Sequence, residues 1–205
     1  MVRVFTLKEL QRSTNLGTRI RCKACGLYLN QLPAWDEEKT SNVFWVGLSA
    51  VQFADDQDRI PLSPSTKSGS LIKDIEEPYK EEISFYKTNI VKCLPLSNDK
   101  IRYPSKQEME KCYPNLEAEI EILKPSLIFL LGKQTGTFLL ERFSRKLLSL
   151  DDDFHYDSFL INGITYIPIH HPSYILVYKR RNVKDYIRSI QSIFEMSLIP
   201  SVTCY

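Results

Sequence analysis

Residues 166–186 read YIPIHHPSYILVYKRRNVKDY and set two imidazoles, His170 and His171, between an apolar run and a cluster of cations. The chain has three histidines, so most of its near-neutral acid–base capacity is gathered in this one turn. An imidazole donates a hydrogen bond from one ring nitrogen, and its pKa is easily moved. That suits it to stabilise negative charge that develops on a leaving group. Lys179, Arg180, Arg181 and Lys184 follow directly. Cations placed there suit a ligand that carries phosphates. The second chemical set is the cysteines. Cys22 and Cys25 form a C-x-x-C turn, Cys93 ends an apolar run, Cys112 lies 19 residues further on, and Cys204 is left over near the C-terminus. An odd count of five sits badly with a disulfide framework. Four thiolates satisfy either a tetrahedral zinc or an iron–sulfur cluster, and spacing alone does not choose between them.

These residues need elements to position them. NVFWVGLS (42–49) reads as a buried strand, and the polar stretch 50–70, with Pro61, Pro64 and Gly69, as a long loop. FYKTNIVKCLPL (85–96) is a second strand, stopped by Pro95. SKQE (105–108) is a capping box that opens a helix to about Leu123. PSLIFLLG (125–132) and ITYIPIH (164–170) are two further strands. Helices are expected over KQTGTFLLERF and over residues 181–197. Strands alternating with helices predict an α/β fold, a three-layer αβα sandwich around a central, mostly parallel four-stranded sheet. Ligands of such sheets bind beyond the carboxyl ends of the strands. Gly47, Leu48 and Ser49, Asn89 to Cys93, Gly132, and His170 with His171 all fall at strand ends.

The bulk numbers bound the rest. A length of 205 residues fits a single domain, 1–205, with the cysteine loop 22–25 near its N-terminus. A net charge of +2 does not mark the whole protein as a polyanion binder, so any basic footprint is local. No apolar run approaches the ~20 residues needed to span a bilayer. The first residues, MVRVFTLKEL, lack the pattern of a secretory signal. The expectation is a soluble cytoplasmic monomer.

Five segments, in order, resemble the uracil-DNA glycosylase superfamily, above all its iron–sulfur family 4. RCKACGLY is similar to the N-terminal cluster ligands of that family, and FWVGLSAVQFADDQDRIPLSPSTKSGSLIKDI to its first catalytic motif and the loop behind it. FYKTNIVKCLPL resembles the strand that carries a base-reading Asn and the third cluster Cys. RYPSKQEMEKCYPNLEAEIEILKPSLIFLLGKQTGTFLL resembles the helix with the fourth Cys and the strand after it. PIHHPSYILVYKRRNVKDYIRSI resembles the His-Pro-Ser motif and the DNA-penetrating loop. The resemblance implies a 4Fe–4S cluster over zinc, in a structural role, held by Cys22, Cys25, Cys93 and Cys112. It also implies DNA as partner and a monofunctional glycosylase. Such an enzyme flips a base out of DNA, hydrolyses its N-glycosidic bond and leaves an abasic site.

The residues take roles accordingly. His171 is the expected donor to the base oxygen, with His170 second. Asn89 offers one acceptor and two donors, enough to read a pyrimidine edge bidentately. Ser173, Lys179, Arg180, Arg181 and Lys184 are expected on DNA, with Ile175, Leu176, Val177 or Tyr178 as the wedge that fills the vacated stack. The first motif departs from family 4: Leu48 stands for the Glu and Ala50 for the Pro of Gly-Glu-Ala-Pro-Gly. Gly47-Leu48 is closer to family 5. Asp55 and Asp56 remain candidates for the catalytic acid, with Gln52 a polar substitute. The stacking Phe of the family is Leu62, and Phe53 is another source of an aromatic face. A smaller pocket wall admits substituents on the pyrimidine ring. The expected substrate is therefore uracil or a 5-modified cytosine, such as the glucosylated hydroxymethylcytosine of some phages, whose removal would serve antiphage defence. The altered motif also motivates an alternative: a DNA-binding module of the same fold without catalysis.

Overall fold

The computed structural model describes residues 22–37, 40–53 and 59–198. Five strands form the main sheet: β1 (Val43–Ser49), β2 (Phe85–Val91), β5 (Leu127–Leu131), β6 (Phe159–Ile161) and β7 (Ile164–Ile169). Their order is β2-β1-β5-β7-β6. The first four in that order run parallel, and β6 is antiparallel to β7. A separate two-stranded hairpin joins β3 (Leu96–Ser97) to β4 (Lys100–Ile101). The helices are α1 (Lys67–Glu76), α2 (Lys106–Leu123), α3 (Lys133–Arg142), α4 (Pro172–Tyr178) and α5 (Val183–Ser197).

The parallel strands are apolar on both faces, so both must be covered. On one face Phe44, Val46, Tyr86, Ile128 and Leu130 pack with Leu116 and Leu123 of α2 and Phe138 of α3. On the other, Val43, Trp45, Phe129 and Ile167 pack with Ile72 and Ile75 of α1 and Tyr186, Ile190 and Phe194 of α5. Trp45 stacks on Phe129 at 4.7 Å, and Phe194 meets both rings edge-on. Each such side chain contributes roughly 1.5–3 kcal/mol by leaving water. The αβα sandwich and its parallel sheet stand as expected.

Among the described residues the sheet has five strands where four were expected. The extra edge strand, β6, comes from the turn Asn162-Gly163, whose φ angles of 51° and 81° are both positive. Asn-Gly in that conformation is a tight hairpin turn. A Cβ on Gly163 would meet nothing within 4 Å, so the cost of a side chain there is conformational alone. Gly163→Ala is expected to cost about 1 kcal/mol, read as a lower urea midpoint with unchanged slope.

Two other boundaries move. The loop expected over 50–70 ends early, because Thr66 caps α1 through a bond from the Gly69 N–H at 3.0 Å. The single helix expected over 181–197 is preceded by α4 and by a 3₁₀ turn at Arg180–Asn182. The capping box is present: Ser105 Oγ accepts from the Glu108 N–H at 3.2 Å, and Glu108 Oε2 from the Ser105 N–H at 2.7 Å. Arg102 forks onto the same carboxylate at 2.6 and 2.8 Å and holds its pKa down to about 2. The N-terminus of α2, which carries Cys112 nearly two turns later, is thereby fixed to the chain before it.

Candidate active site

β1 feeds α1 and returns to β2 on one side, whereas β5 feeds α3 and returns to β7 on the other. The chain therefore reverses its direction of winding between β1 and β5, where an open sheet leaves a crevice at its carboxyl edge. Gly47 stands there on β1 and Gly132 directly after β5.

Both glycines are bare for a visible reason. Gly47 is the register partner of Asn89, and a Cβ on it would lie 2.3 Å from the Asn89 side-chain oxygen. The Asn89 amide thus leans from β2 across Gly47, towards the middle of the sheet. It is 4% exposed. Gly132 has φ +88°, and its N–H donates to the Ile169 carbonyl at 2.8 Å. A Cβ there would touch His171 Cβ at 3.4 Å. His171 thus stands over Gly132 from the β7 side. Three strand spacings, roughly 14 Å, separate β2 from β7, and the two side chains narrow this gap over a floor of glycine.

His171 is the N-cap of α4, in extended backbone ahead of Pro172. Its Nδ1 accepts from the Ser173 N–H at 3.1 Å and lies 2.8 Å from Ser173 Oγ. A backbone N–H cannot accept, so Nδ1 carries the lone pair and Nε2 carries the proton. Burial pushes the imidazole down to about 4. At neutral pH the group is an uncharged donor with its N–H on the far side from the helix. Ser173, expected to support this loop or to touch a phosphate, sets the tautomer of His171. Ser173→Ala keeps the backbone donor and removes the hydroxyl, so base release is expected to slow by about tenfold, as for other orienting partners, with DNA affinity unchanged in a filter-binding titration.

His170 faces elsewhere. It is 7% exposed, stacks on Tyr174 at 5.2 Å, and its Nδ1 lies 3.0 Å from Tyr156 Oη. Its carbonyl accepts from Tyr186 Oη at 2.8 Å. An aromatic cluster with Phe154 holds the ring, so the geometry gives it to anchoring the loop.

Leu48 and Ser49, half-buried, continue β1 past Gly47. Gln52 and Phe53 are drawn off: the Phe53 N–H donates to Gln31 Oε1 at 3.1 Å, and Gln31 Nε2 donates to the Val51 carbonyl at 3.0 Å. They line a cavity of about 480 Å³ with Tyr28, Asn30, Gln31 and Asp99. Gly47, Asn89, Gly132 and His171 are not among its lining residues. Gln31 thus ties the loop that carries Gln52 and Phe53 to the segment that follows Cys25. Leu62 has left-handed backbone, φ 53°, and packs half-buried against the α1–α5 layer. Asp55 and Asp56 lie outside the described residues.

Beyond the crevice, α4 carries Val177 and Tyr178 outward, 67% and 73% exposed. Arg180, Arg181 and Lys184 are exposed beside them, and Lys179 meets Asp152 at 3.1 Å. Exposed apolar tips and cations share one rim.

The four cysteines are free thiols, Cys93 and Cys112 buried, Cys22 and Cys25 half-buried. Among the described residues no three His, Cys, Asp or Glu groups close into one coordination shell. Yet the sulfurs sit within reach of each other's charge: burial first, then Cys112, Cys25 and Cys22, push the Cys93 thiol up to about 12. Two N–H groups already aim at Cys112 Sγ, from the Lys92 backbone at 3.4 Å and Asn115 Nδ2 at 3.7 Å. Buried sulfurs with N–H donors on them are the surroundings of a thiolate-bound metal centre. The residues fit such a group.

Residues 28–194 match the family model of the uracil DNA glycosylase superfamily. The chain is 27% identical over 191 residues to a type-4 uracil-DNA glycosylase of Thermotoga maritima, covering 91% of this chain and 92% of that one. It is 42% identical over 65 residues to a type-4 uracil-DNA glycosylase of Pyrobaculum aerophilum, 32% of each chain. The crystal structure of wild-type SMUG2 from Pedobacter heparinus superposes with a TM-score of 0.55 at 17% identity, over 78% of this chain and 76% of that one.

Proposed function

The chain belongs to the uracil DNA glycosylase superfamily, and from that premise we propose that it is a DNA glycosylase, a hydrolase of N-glycosyl bonds in DNA. The observation that carries this is the neutral His171 over Gly132, opposite an Asn89 amide that leans over Gly47. As the bond from sugar C1′ to base nitrogen breaks, negative charge grows on the base. The Nε2–H of His171, fixed by Ser173, donates to the base oxygen and stabilises that charge without a proton transfer. Asn89 pairs with the pyrimidine edge and holds the extruded base. Arg180, Arg181 and Lys184 neutralise phosphates, and Val177 or Tyr178 fills the vacated stack.

Cys22, Cys25, Cys93 and Cys112 would hold a 4Fe–4S cluster, with zinc as the other thiolate centre the set accepts. Such a centre supplies a structural tie between the N-terminal segment, β2 and α2. Protein purified without oxygen is expected to be brown and to contain iron and sulfide; a colourless zinc protein decides for the alternative.

The substrate is uracil or a 5-substituted cytosine. Leu48 supports the second choice. It puts an apolar side chain beside Gly47, where a carboxylate would restrict what fits. The test is base release, followed by mass spectrometry, from duplexes that differ only in uracil or glucosylated hydroxymethylcytosine. Release of uracil alone removes the modified-cytosine reading, and with it a role in defence against phages. No release from either removes the glycosylase reading.

A further inference from the structure

Behind β2, on the face away from Asn89, an ammonium is buried outright. The Lys92 side chain is 2% exposed, and its Nζ bonds Glu119 Oε2 on α2 at 2.7 Å; the Glu119 side chain is 0% exposed. The same Nζ donates to Thr88 Oγ1 at 2.5 Å, and Thr88 Oγ1 donates to the same Glu119 oxygen at 2.8 Å. The Trp35 ring lies 5.1 Å from the ammonium. The backbone of Lys92 is engaged as well: its N–H points at Cys112 Sγ at 3.4 Å, and its carbonyl accepts from the Ala34 N–H at 2.8 Å. One residue therefore touches Thr88, the neighbour of Asn89; α2, which carries Cys112; and the segment that follows Cys22 and Cys25. Cys93 is the next residue along the chain.

A buried ion pair is a poor way to gain stability, because removing both charges from water offsets most of their attraction. A well-packed apolar pair would hold α2 to β2 at least as firmly. It would not fix the rotation and register of the helix. A triangle of short, directional, charge-assisted bonds does. We infer that Lys92, with Glu119 and Thr88, is a positioning residue: it locks α2 to the end of β2 so that Cys93 and Cys112 face one metal centre and Asn89 keeps its place over Gly47. This rests on the reading of the cysteines and of Asn89 given above.

The test compares Lys92→Met with the paired variant Lys92→Met/Glu119→Leu. The single change strands a buried carboxylate and lowers the melting temperature; the paired change removes both charges and restores it. In the paired variant a chelator is expected to strip the metal about tenfold faster, and kcat for base release to fall about tenfold with KM little changed, the usual size of such supporting effects. A restored melting temperature with wild-type stripping rate and wild-type kcat overturns the inference, since the network is then structural only. If the paired variant stays unstable, Glu119→Gln decides: it keeps the shape and weakens the charge, and faster stripping supports the inference whereas an unchanged rate sinks it. Wild-type protein that releases no base refutes the proposed function and leaves the stripping rate to decide this question. Wild-type protein without metal refutes the cluster, and hydrogen exchange at residues 88–93 then decides, faster exchange in the paired variant being the supporting result.

Discussion

His171→Ala lowers single-turnover base release by about 10²–10³, the usual loss when one preorganised donor to a developing oxyanion is removed, and leaves DNA affinity within a factor of two or three of wild type (roughly 0.5 kcal/mol). The reasoning is geometric. In the proposed function cations on the α4–α5 rim grip the DNA, so truncating a neutral ring at the crevice is expected to change little in the ground state. The donor matters only once charge has moved onto the base. The pH profile adds an independent check. Burial holds the folded imidazole at about 4, against an ordinary value of 6.5. Base release is therefore expected to show no inflection near 6.5 and to fall only as pH approaches 4, when a proton on Nδ1 faces the Ser173 N–H. Stability runs the same way. The unfolded chain takes up this proton near 6.5 and the folded chain near 4, so the unfolded state binds more protons in between. The contribution of His171 is fully present above 6.5 and is lost as pH falls through that window. A His171→Ala protein should lose less stability between those two pH values than wild type. An Ala variant that still releases base at the wild-type rate assigns the chemistry to another group. A wild-type protein that binds DNA and releases nothing from any substrate leaves a binding module of the same fold.

Much of this site was written locally. The two histidines, the Asn89 strand, the capping box and the four cysteines each carry a short-range signal in the sequence. Most of what the sequence leaves open depends on which residues meet across the fold. The exception is Asn162-Gly163, a local hairpin signal masked by the segment before it, SLDDDFHYDSF (149–159), which has the composition of a solvated loop. Gln52 and Phe53 were expected at the base because they follow the first motif in sequence. Only the fold brings Gln31 against their loop. Lys92 and Glu119 left a fainter trace. Each is a charge set among apolar neighbours, Lys92 in NIVKCLP and Glu119 beside Leu116, Ile120 and Leu123. Opposite charges on two apolar faces are a sign that the faces meet, but the sequence does not say which charge meets which.

Gly47→Ala tests whether the open floor of the crevice is functional. Its Cβ would stand 2.3 Å from the Asn89 amide oxygen, well inside contact distance, while the nearest backbone atom, the Thr88 carbonyl oxygen, stays at 3.7 Å. The clash therefore falls on the end of a side chain and not on the sheet. Folding has an inexpensive escape: the Asn89 amide rotates away. The site has none, because an amide displaced by an ångström no longer meets the pyrimidine edge, and misplacement of that size costs about 10²-fold in rate. The expected result is a loss of about 10²-fold in kcat/KM with a melting temperature close to wild type. A double-mutant cycle sharpens it. If the methyl acts only by displacing the amide, Asn89→Ala in the Gly47→Ala background adds almost nothing to the loss, although each change alone is severe. Additive losses instead mean that Gly47 contacts the substrate independently of Asn89. Full activity of Gly47→Ala means that the extruded base never passes over this glycine, and the crevice between β1 and β5 is not where the bond is cut.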